Sequence, residues 1–250
     1  MPKREKLDYE QLGESLRRHL FRSGPSAAKE ACDRLGISQP AFSRLISHQL
    51  AEAEDQILQA GKGSTTRYAL RRSGAGMDAR IPVYVVDERG SAAQVATLHG
   101  VQPRGFYLES KGARLSHAFF EDLPYLMEDL RPAGFLGRLV PRRHPELRLP
   151  EDIQNWSADH CLHYLTRYAW NLAGNLIVGE EAFRLYLEHT QAPPDAVADL
   201  EREMIYPRMA DTVMLTGIAG SSAAGEQPKF LATRTPSLTP VIVKFSPPIQ

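Results

Sequence analysis

Apolar residues recur at helical spacing through most of the first fifty residues of the chain. The longest such stretch is Tyr9–Phe21, and two shorter ones begin at Ser26 and Gln39. Gly24 is expected to end the first helix, Ser26 to cap the second, and Gly36 to take the left-handed conformation that closes the second. Two short helices joined by Leu-Gly-Ile-Ser form a helix-turn-helix pattern, in which the glycine allows the tight turn.

A β-hairpin pattern follows the three helices. Residues 56–60 and 65–70 read as strands, and the turn between them is basic and rich in glycine. Together with the helices, this resembles the winged helix-turn-helix domains of bacterial regulators, and we assign residues 1–72 to such a domain. The resemblance implies DNA binding, with the third helix in the major groove. The expected DNA contacts are Gln39, Ser43 and Arg44 on that helix and Lys62 and Arg67 on the hairpin. A winged helix used for protein contact or for homodimer formation is the alternative.

The middle of the chain alternates between strand and loop patterns. Residues 73–80 are polar and contain glycine, which is typical of a linker. Strand patterns follow at 81–86, 92–99 and 105–109, and a helical apolar stripe follows at 116–130. We therefore expect a small β-rich subdomain over residues 81–150, with its prolines at 141, 145 and 150 in a connecting loop.

The last hundred residues combine helices with a final pair of strands. Ser157 is a good start for one helix, and another is expected to run from Pro193 toward Tyr206. Strand patterns occupy Lys229–Thr233 and Val241–Phe245. Between the last helix and these strands lies a run of small residues, namely Gly220, Ser221, Ser222, Ala223, Ala224 and Gly225.

Such a loop is suited to binding phosphate. Without large side chains, the backbone N–H groups of the loop can approach a polyphosphate, and Lys244 on the last strand can add a positive charge. A Walker A motif is excluded, because Glu226-Gln227 stand where Lys-[Ser/Thr] is required. An ordinary surface loop before a hairpin stays open as an alternative on composition alone.

The same stretch resembles a known family. Gly220–Phe230, GSSAAGEQPKF, and Val241–Phe245, VIVKF, are similar to the Gly-rich loop and ATP-binding lysine of HipA-family serine/threonine kinases, the toxins of bacterial toxin–antitoxin pairs. The LRPAGFLGR string at 130–138 is also similar to this family. The resemblance implies ATP held by the residues from Gly220 to Gly225 and by Lys244. It also implies that Ser222 is a site of autophosphorylation.

This resemblance defines the expected fold and function. The fold class is α+β: a winged helix-turn-helix, then a β-rich HipA N-terminal subdomain, then the start of a kinase-like N-lobe at 151–250. No H-x-D-x-x-x-x-N or Asp-Phe-Gly motif occurs, so no catalytic residue is assigned. We expect the N-terminal portion of a toxin-type kinase that is inactive alone, because the C-lobe that would complete the Mg²⁺ site is absent after Gln250. Truncation, a frameshift or a complementing polypeptide would explain this. The alternative is a DNA-binding regulator with a vestigial nucleotide-binding region.

Charge and composition bear on the expected partners and location of the protein. Residues 1–80 carry 14 basic against 10 acidic side chains, and the rest of the chain carries the opposite imbalance, which permits DNA as a partner. An antitoxin and a protein substrate, which in this family includes aminoacyl-tRNA synthetases, are further implied partners. With no apolar span, no signal peptide and only two cysteines, we expect a cytoplasmic protein that does not bind membranes.

Two smaller clusters of histidine and arginine residues are not assigned a binding site. His160 and His163 lie on one helical face, but no third ligand has zinc-like spacing, so no metal site is predicted. Arg138, Arg142, Arg143 and His144 form a basic cluster, for which a solvated face is favoured over a phosphate site.

Overall fold

The computed structural model describes residues 8–52, 56–72, 78–112, 115–172, 174–191, 196–216, 227–237 and 239–246. Helices and strands are mixed along the chain, so the predicted α+β class is confirmed. The chain divides into two compact units: unit 1 comprises residues 1–80 and 96–124, and unit 2 comprises residues 81–95 and 125–250. The predicted domain limits at residues 72, 80 and 150 stay predictions.

The described residues contain both long helices and short strands. The helices are α1 (Tyr9–Ser23), α2 (Ala28–Leu35), α3 (Gln39–Glu52), α4 (Gly134–Arg143), α5 (Ala158–Tyr168), α6 (Glu180–Gln191) and α7 (Arg202–Thr216). The strands are β1 (Ser26–Ala27), β2 (Ile57–Ala60), β3 (Arg67–Leu70), β4 (Ile81–Val86), β5 (Ala92–Gly100), β6 (Phe106–Ser110), β7 (Ala118–Phe120), β8 (Leu176–Val178), β9 (Ala196–Ala198), β10 (Lys229–Thr235) and β11 (Thr239–Lys244). Short 3₁₀-helices lie at Gly63–Thr65, Tyr125–Leu130, Pro145–Leu147, Ile153–Asn155 and Asp199–Glu201.

In unit 1, the three N-terminal helices pack around one apolar cluster. The carboxylate of Asp8 caps α1, and Gly36 follows α2 in the left-handed conformation, with φ of 67°. The cluster includes Leu16 and Leu20 of α1 together with the predicted inward-facing residues of α3, which are Phe42, Leu45 and Ile46. Full burial of these side chains confirms the helical periodicity of the sequence.

The predicted cap of the second helix is wrong. Ser26 belongs to β1, which pairs with β3, and its hydroxyl donates to the carbonyl of Gly24 at 3.1 Å. Helix α2 begins at Ala28 instead. The carboxylate of Glu30 accepts the backbone N–H of Ala27 at 2.9 Å, so an acidic side chain within α2 supports its first turn. Strand pairing at Ser26 therefore took precedence over its capping propensity.

The hairpin of β2 and β3 is covered on both faces. It forms an antiparallel sheet in the order β1-β3-β2, and Ile57 packs against the helical cluster. Its opposite face joins a second cluster, made of Leu58, Ala60, Ala69, Val101 and Tyr107. The backbone continues this contact, because Arg72 N donates to Gly100 O and Gln102 N donates to Leu70 O. The orientation of the hairpin within unit 1 is thus fixed from two sides.

Strands β5, β6 and β7 form an antiparallel meander in unit 1. The first two match the predicted strands, but the predicted helix over residues 116–130 is wrong in its first half. Residues 118–120 pair with residues 106–108, because three consecutive apolar side chains can extend the sheet. Helical geometry starts only after Pro124, as 3₁₀-helix at Tyr125–Leu130.

In unit 2, β4 pairs antiparallel with β8, and α6 packs beside them. The ring of Phe183 stacks on Tyr84 at 4.1 Å, and the Tyr84 hydroxyl donates to Glu180 at 2.8 Å. Burial and this hydrogen bond raise the pKa of Tyr84 to about 12. Strand β8 and helix α6 were not predicted from the sequence, in which the region from Gly174 to the last predicted helix had no assigned element. Pro141 was predicted to lie in a loop, whereas it lies inside α4.

The end of unit 2 is a small sheet packed against α7. Strands β10 and β11 confirm the two predicted strand patterns, and they pair as an antiparallel hairpin. The helix predicted from Pro193 is wrong at its start, because residues 196–198 form β9, which runs parallel to β10. Asp199 follows β9 and accepts two hydrogen bonds from Arg234 of β10, at 2.7 and 2.8 Å. These hydrogen bonds hold the pKa of Asp199 below its usual range. Helix α7 begins after this segment, at Arg202.

Across the described ranges, no helix is both long enough and apolar enough to cross a membrane.

We predict that Gly105→Ala strongly destabilises unit 1. Gly105 has φ of +93°, and a Cβ there would lie 2.3 Å from the carbonyl oxygen of Phe120. The strained backbone and the clash together should lower the free energy of unfolding by about 2 kcal/mol or more in denaturant titrations. Gly112→Ala is the matched control, because a Cβ at Gly112 meets nothing within 4 Å. Equal stability of the two variants would contradict the described packing of Gly105.

Candidate nucleic-acid and nucleotide sites

The residues predicted to contact DNA are all exposed on unit 1. On α3, they lie on the face away from the apolar cluster, and on the hairpin they lie near its tip. The exposed set comprises Gln39, Ser43, Arg44, Lys62 and Arg67. Two of them also donate to backbone carbonyls: Arg44 to that of Pro40 and Arg67 to that of Pro25, both at 3.3 Å.

This arrangement suits α3 to contacts with bases and the hairpin to contacts with phosphates. Gln39 is the first residue of α3, where side chains at a helix N-terminus can reach base edges. Lys62 and Arg67 are cations on short strands or turns, which suits them to phosphate oxygens. Because the hairpin is covered on both faces, the two cations are presented from a rigid support rather than from a loose loop.

The β10–β11 hairpin brings two lysines side by side. Its register places Lys229 directly opposite Lys244, so both side chains project from the same face of the hairpin. Lys229 is buried, at 2% exposure, whereas Lys244 is exposed. Directly opposed like charges disfavour a strand pair unless an anion or another partner compensates. Lys229 already has an interaction partner in the structure, so the pair does not by itself require a bound anion.

The predicted phosphate loop itself lies outside the described residues. This applies to Gly220, Ser221, Ser222, Ala223, Ala224 and Gly225, including the autophosphorylation candidate. The chain re-enters the described part at Gln227, two residues before β10. Lys229 and Lys244 therefore stand at the end of the hairpin that the loop enters.

A separate apolar cleft of about 770 Å³ lies on the other side of the hairpin. It is lined by Phe230, Val243 and Phe245 from the strands and by Tyr206 and Met214 from α7. Lys229 and Lys244 do not line it. The cleft follows from strand alternation, since Phe230 and Val243 are each one position away from the paired lysines. The predicted ATP lysine thus points away from this apolar space.

Among the described residues, no group of three or more histidine, cysteine or acidic side chains could hold a metal ion. The predicted helix start at Ser157 is confirmed, and His160 takes part in it. Its Nδ1 accepts the backbone N–H of Ser157 at 3.3 Å, while the Ser157 hydroxyl accepts the N–H of His160. His160 therefore has a structural role at the start of α5.

Lys229 is the residue that the sequence analysis missed. It is the last lysine of the GEQPKF string that was compared with the HipA loop, but only Lys244 was assigned to the phosphates. Lys229 and Lys244 lie equally far from Pro236-Ser237 along the sequence. A hairpin turn at these two residues would therefore place the two lysines opposite each other. That signal was available in the spacing of the two strands.

These features define a protein of two compact units, with exposed polar side chains on α3 and on the tip of the β2–β3 hairpin in unit 1 and a lysine-bearing hairpin in unit 2. Comparison with known proteins relates it to toxins: residues 77–187 match the family described as YjjJ-like toxin, middle domain. The chain is also 38% identical to Toxin YjjJ of Escherichia coli (strain K12) over 234 residues, which is 92% of this chain and 51% of that protein. The chain therefore spans about half the length of this curated relative. No solved structure matches it significantly.

We predict that Lys244→Glu modestly stabilises the protein. It replaces a like-charge pair across β10 and β11 with an opposite-charge pair, for a gain of about 0.2–1 kcal/mol that salt should reduce because Lys244 is exposed. Thermal unfolding at low and high salt would measure the gain. Lys244→Gln should give an intermediate value. If Lys244→Glu unfolds at or below the wild-type temperature, the like charges do not repel as the register implies.

Proposed function

We propose that this chain is the N-terminal portion of a HipA-like, toxin-type serine/threonine kinase with its own DNA-binding winged helix. The observation that carries the proposal is the β10–β11 register, which pairs Lys229 with Lys244 at the strand end that follows the small-residue loop in the sequence. The similarity to a toxin family and the resemblance of the loop to HipA kinases support the same function.

In this proposal, the hairpin binds the phosphates of ATP. The backbone N–H groups of residues 220–225 would approach the phosphate oxygens, and Lys229 and Lys244 would neutralise their charge. ATP supplies the phosphoryl group when bound, together with Mg²⁺. Buried Lys229 would act from a fixed position, whereas exposed Lys244 would close over the phosphates from the solvent side.

Phosphoryl transfer would need further groups. The sequence contains no H-x-D-x-x-x-x-N or Asp-Phe-Gly motif, which supply the catalytic base and metal ligands in kinases. We expect these groups in a segment corresponding to the half of the E. coli toxin that this chain does not span. A complementing polypeptide could supply them equally. An antitoxin is a further proposed partner, as the toxin similarity implies.

The N-terminal helices and hairpin support a DNA-binding role. A helical trio with an antiparallel sheet in the order β1-β3-β2 is compatible with a winged helix, and α3 would be its recognition helix. Gln39, Ser43 and Arg44 would contact bases or phosphates, and Lys62 and Arg67 would contact phosphates or the minor groove.

A second function is a DNA-binding regulator in which the nucleotide region is vestigial. The exposure of all five predicted DNA contacts favours it as much as it favours the kinase. The two functions differ in whether the lysine pair still binds nucleotide. Both predict DNA binding, so the deciding experiment is on ATP.

We predict that Lys244→Met abolishes the binding of a non-hydrolysable ATP analogue, measured by calorimetry, and leaves DNA binding unchanged. The reason is that Lys244 would contact the phosphates directly, whereas it belongs to unit 2 and the DNA contacts belong to unit 1. Lys62→Met is the reciprocal control and should retain the analogue. Wild-type chain that binds no analogue would leave only the regulator. Analogue binding that survives in Lys244→Met would remove the assigned role of the lysine.

We predict that DNA affinity falls with salt, with a slope of about −0.9 per phosphate contact on log–log axes. Lys62→Ala and Arg67→Ala should each make the slope shallower by about one, equally on all sequences. Arg44→Ala should instead change the preference among sequences if it reads bases. Fluorescence anisotropy at several salt concentrations would measure both effects. A flat slope for the wild-type chain would contradict DNA binding by this face.

A further inference from the structure

A second cavity, separate from the nucleotide region, lies in unit 2 where the ends of α4 and α5 meet α6. Its volume is about 240 Å³, which is small for a ligand pocket and limits an occupant to roughly one or two rings. The residues that matter are Arg143 and His144 at the end of α4, Tyr164 and Tyr168 of α5, Trp170, and His189 of α6. No acidic side chain lines it.

Aromatic rings form the walls of this cavity. His144 stacks on Tyr168 with ring centroids 3.9 Å apart, and Trp170 stacks on His189 at 4.2 Å. The two stacked pairs lock these rings in place before any ligand enters. Flat, rigid walls of this kind suit a planar ligand, because stacking on them costs little conformational entropy.

Two side chains that line the cavity carry donors that make no hydrogen bond to any described residue, although their charges act on each other. Arg143 makes no hydrogen bond or ion pair with any residue in the described ranges, and burial lowers the pKa of its guanidinium. Tyr164 is 4% exposed, and within the same ranges its hydroxyl has no hydrogen-bond partner either. Arg143 is half-buried, and neither donor is among the fully buried polar atoms that lack a partner, so both stay accessible to an acceptor that enters the cavity.

The charges around the cavity also favour an anion. Burial, and after it the positive charge of Arg143, lower the pKa of His144, and it is this charge of Arg143 that a bound anion would offset. The exposed carboxylate of Glu146 lies 3.3 Å from His144 Nδ1, and the carboxylate of Glu181 acts on Tyr168. Glu146 also accepts a hydrogen bond from Tyr168, so it is already engaged at the rim and does not neutralise Arg143.

We propose that this cavity binds a small aromatic oxyanion, with its carboxylate or phosphate on Arg143 and Tyr164 and its ring between the stacked aromatic pairs. A guanidinium and a phenol O–H together provide donors for two oxygens of either acid group. The cavity lies largely within the segment that matches the toxin middle domain, and the proposal does not depend on ATP or DNA binding.

Three probes that share one ring test this proposal: benzoate, phenyl phosphate and phenol. Trp170 reports binding by its fluorescence when Trp156, the other tryptophan of the chain, is replaced by phenylalanine. Calorimetry on the unmodified chain checks that this replacement has not altered the site. At least one of the two anions should bind at least about tenfold more tightly than phenol, and the better of the two identifies the acid group.

Matched variants locate the contacts. Arg143→Ala should weaken anion binding at least about tenfold, and Arg143→Lys less, whereas Arg142→Ala on the exposed side of the same helix should have no effect. Tyr164→Phe should weaken binding severalfold, and Tyr125→Phe, at an exposed tyrosine, should not. Circular dichroism verifies that each variant is folded. If Arg143→Ala is not folded, Arg143→Lys replaces it in the comparison with Arg142→Ala.

Several results would overturn the proposal. Phenol binding as tightly as both anions would show that the cavity is merely apolar. Equal effects of Arg143→Ala and Arg142→Ala would show non-specific charge attraction. No fluorescence or heat change with either anion would show that water alone satisfies the two donors.

Discussion

The register of the β10–β11 hairpin is the constraint on which the functional interpretation depends. Because side chains alternate along a strand, the pairing of Lys229 with Lys244 decides which residues face each other and which face α7. A slip of one position would place Lys244 opposite Phe230 and turn the cation toward the apolar core. The core residues Phe230, Ala232 and Val213 hold the register by their burial, so packing on one face fixes the chemistry on the other.

In unit 1, buried packing likewise determines which side chains are exposed. The hairpin of β2 and β3 is covered by helices on one face and by residues of β5 and β6 on the other, which leaves its tip as the exposed part. A rigid tip and the outward face of α3 can then present a fixed pattern of polar and basic groups. Both candidate sites thus place polar or basic side chains on elements that packing elsewhere holds in position, and such sites retain their geometry without a ligand.

Sequence reasoning predicted the elements with strong periodicity and missed those stabilised by distant contacts. Phe42, Leu45 and Ile46 faced inward as expected, since helical spacing alone determines that face. Ser26 was assigned to a cap, but strand pairing with a segment forty residues away decided its conformation. Likewise, Ala118–Phe120 and Ala196–Ala198 became strands because neighbouring strands offered unpaired edges, which local propensity does not reveal. Lys244 was predicted from resemblance, whereas its partner Lys229 was missed although the spacing of the two predicted strands already paired it with Lys244. The pairing of Arg143 with Tyr164 at one cavity depends on the packing of α4 against α5 and had no signal in the sequence.

Labelling with a lysine-reactive acyl phosphate of ATP tests the central claim most directly, because the reagent acylates lysines that lie beside the bound phosphates. Peptide mapping by mass spectrometry should find Lys244, with or without Lys229, as the principal modified site, and excess ATP should prevent the modification. Labelling spread over exposed lysines such as Lys62 and Lys29, with no protection by ATP, would contradict a phosphate site at this hairpin.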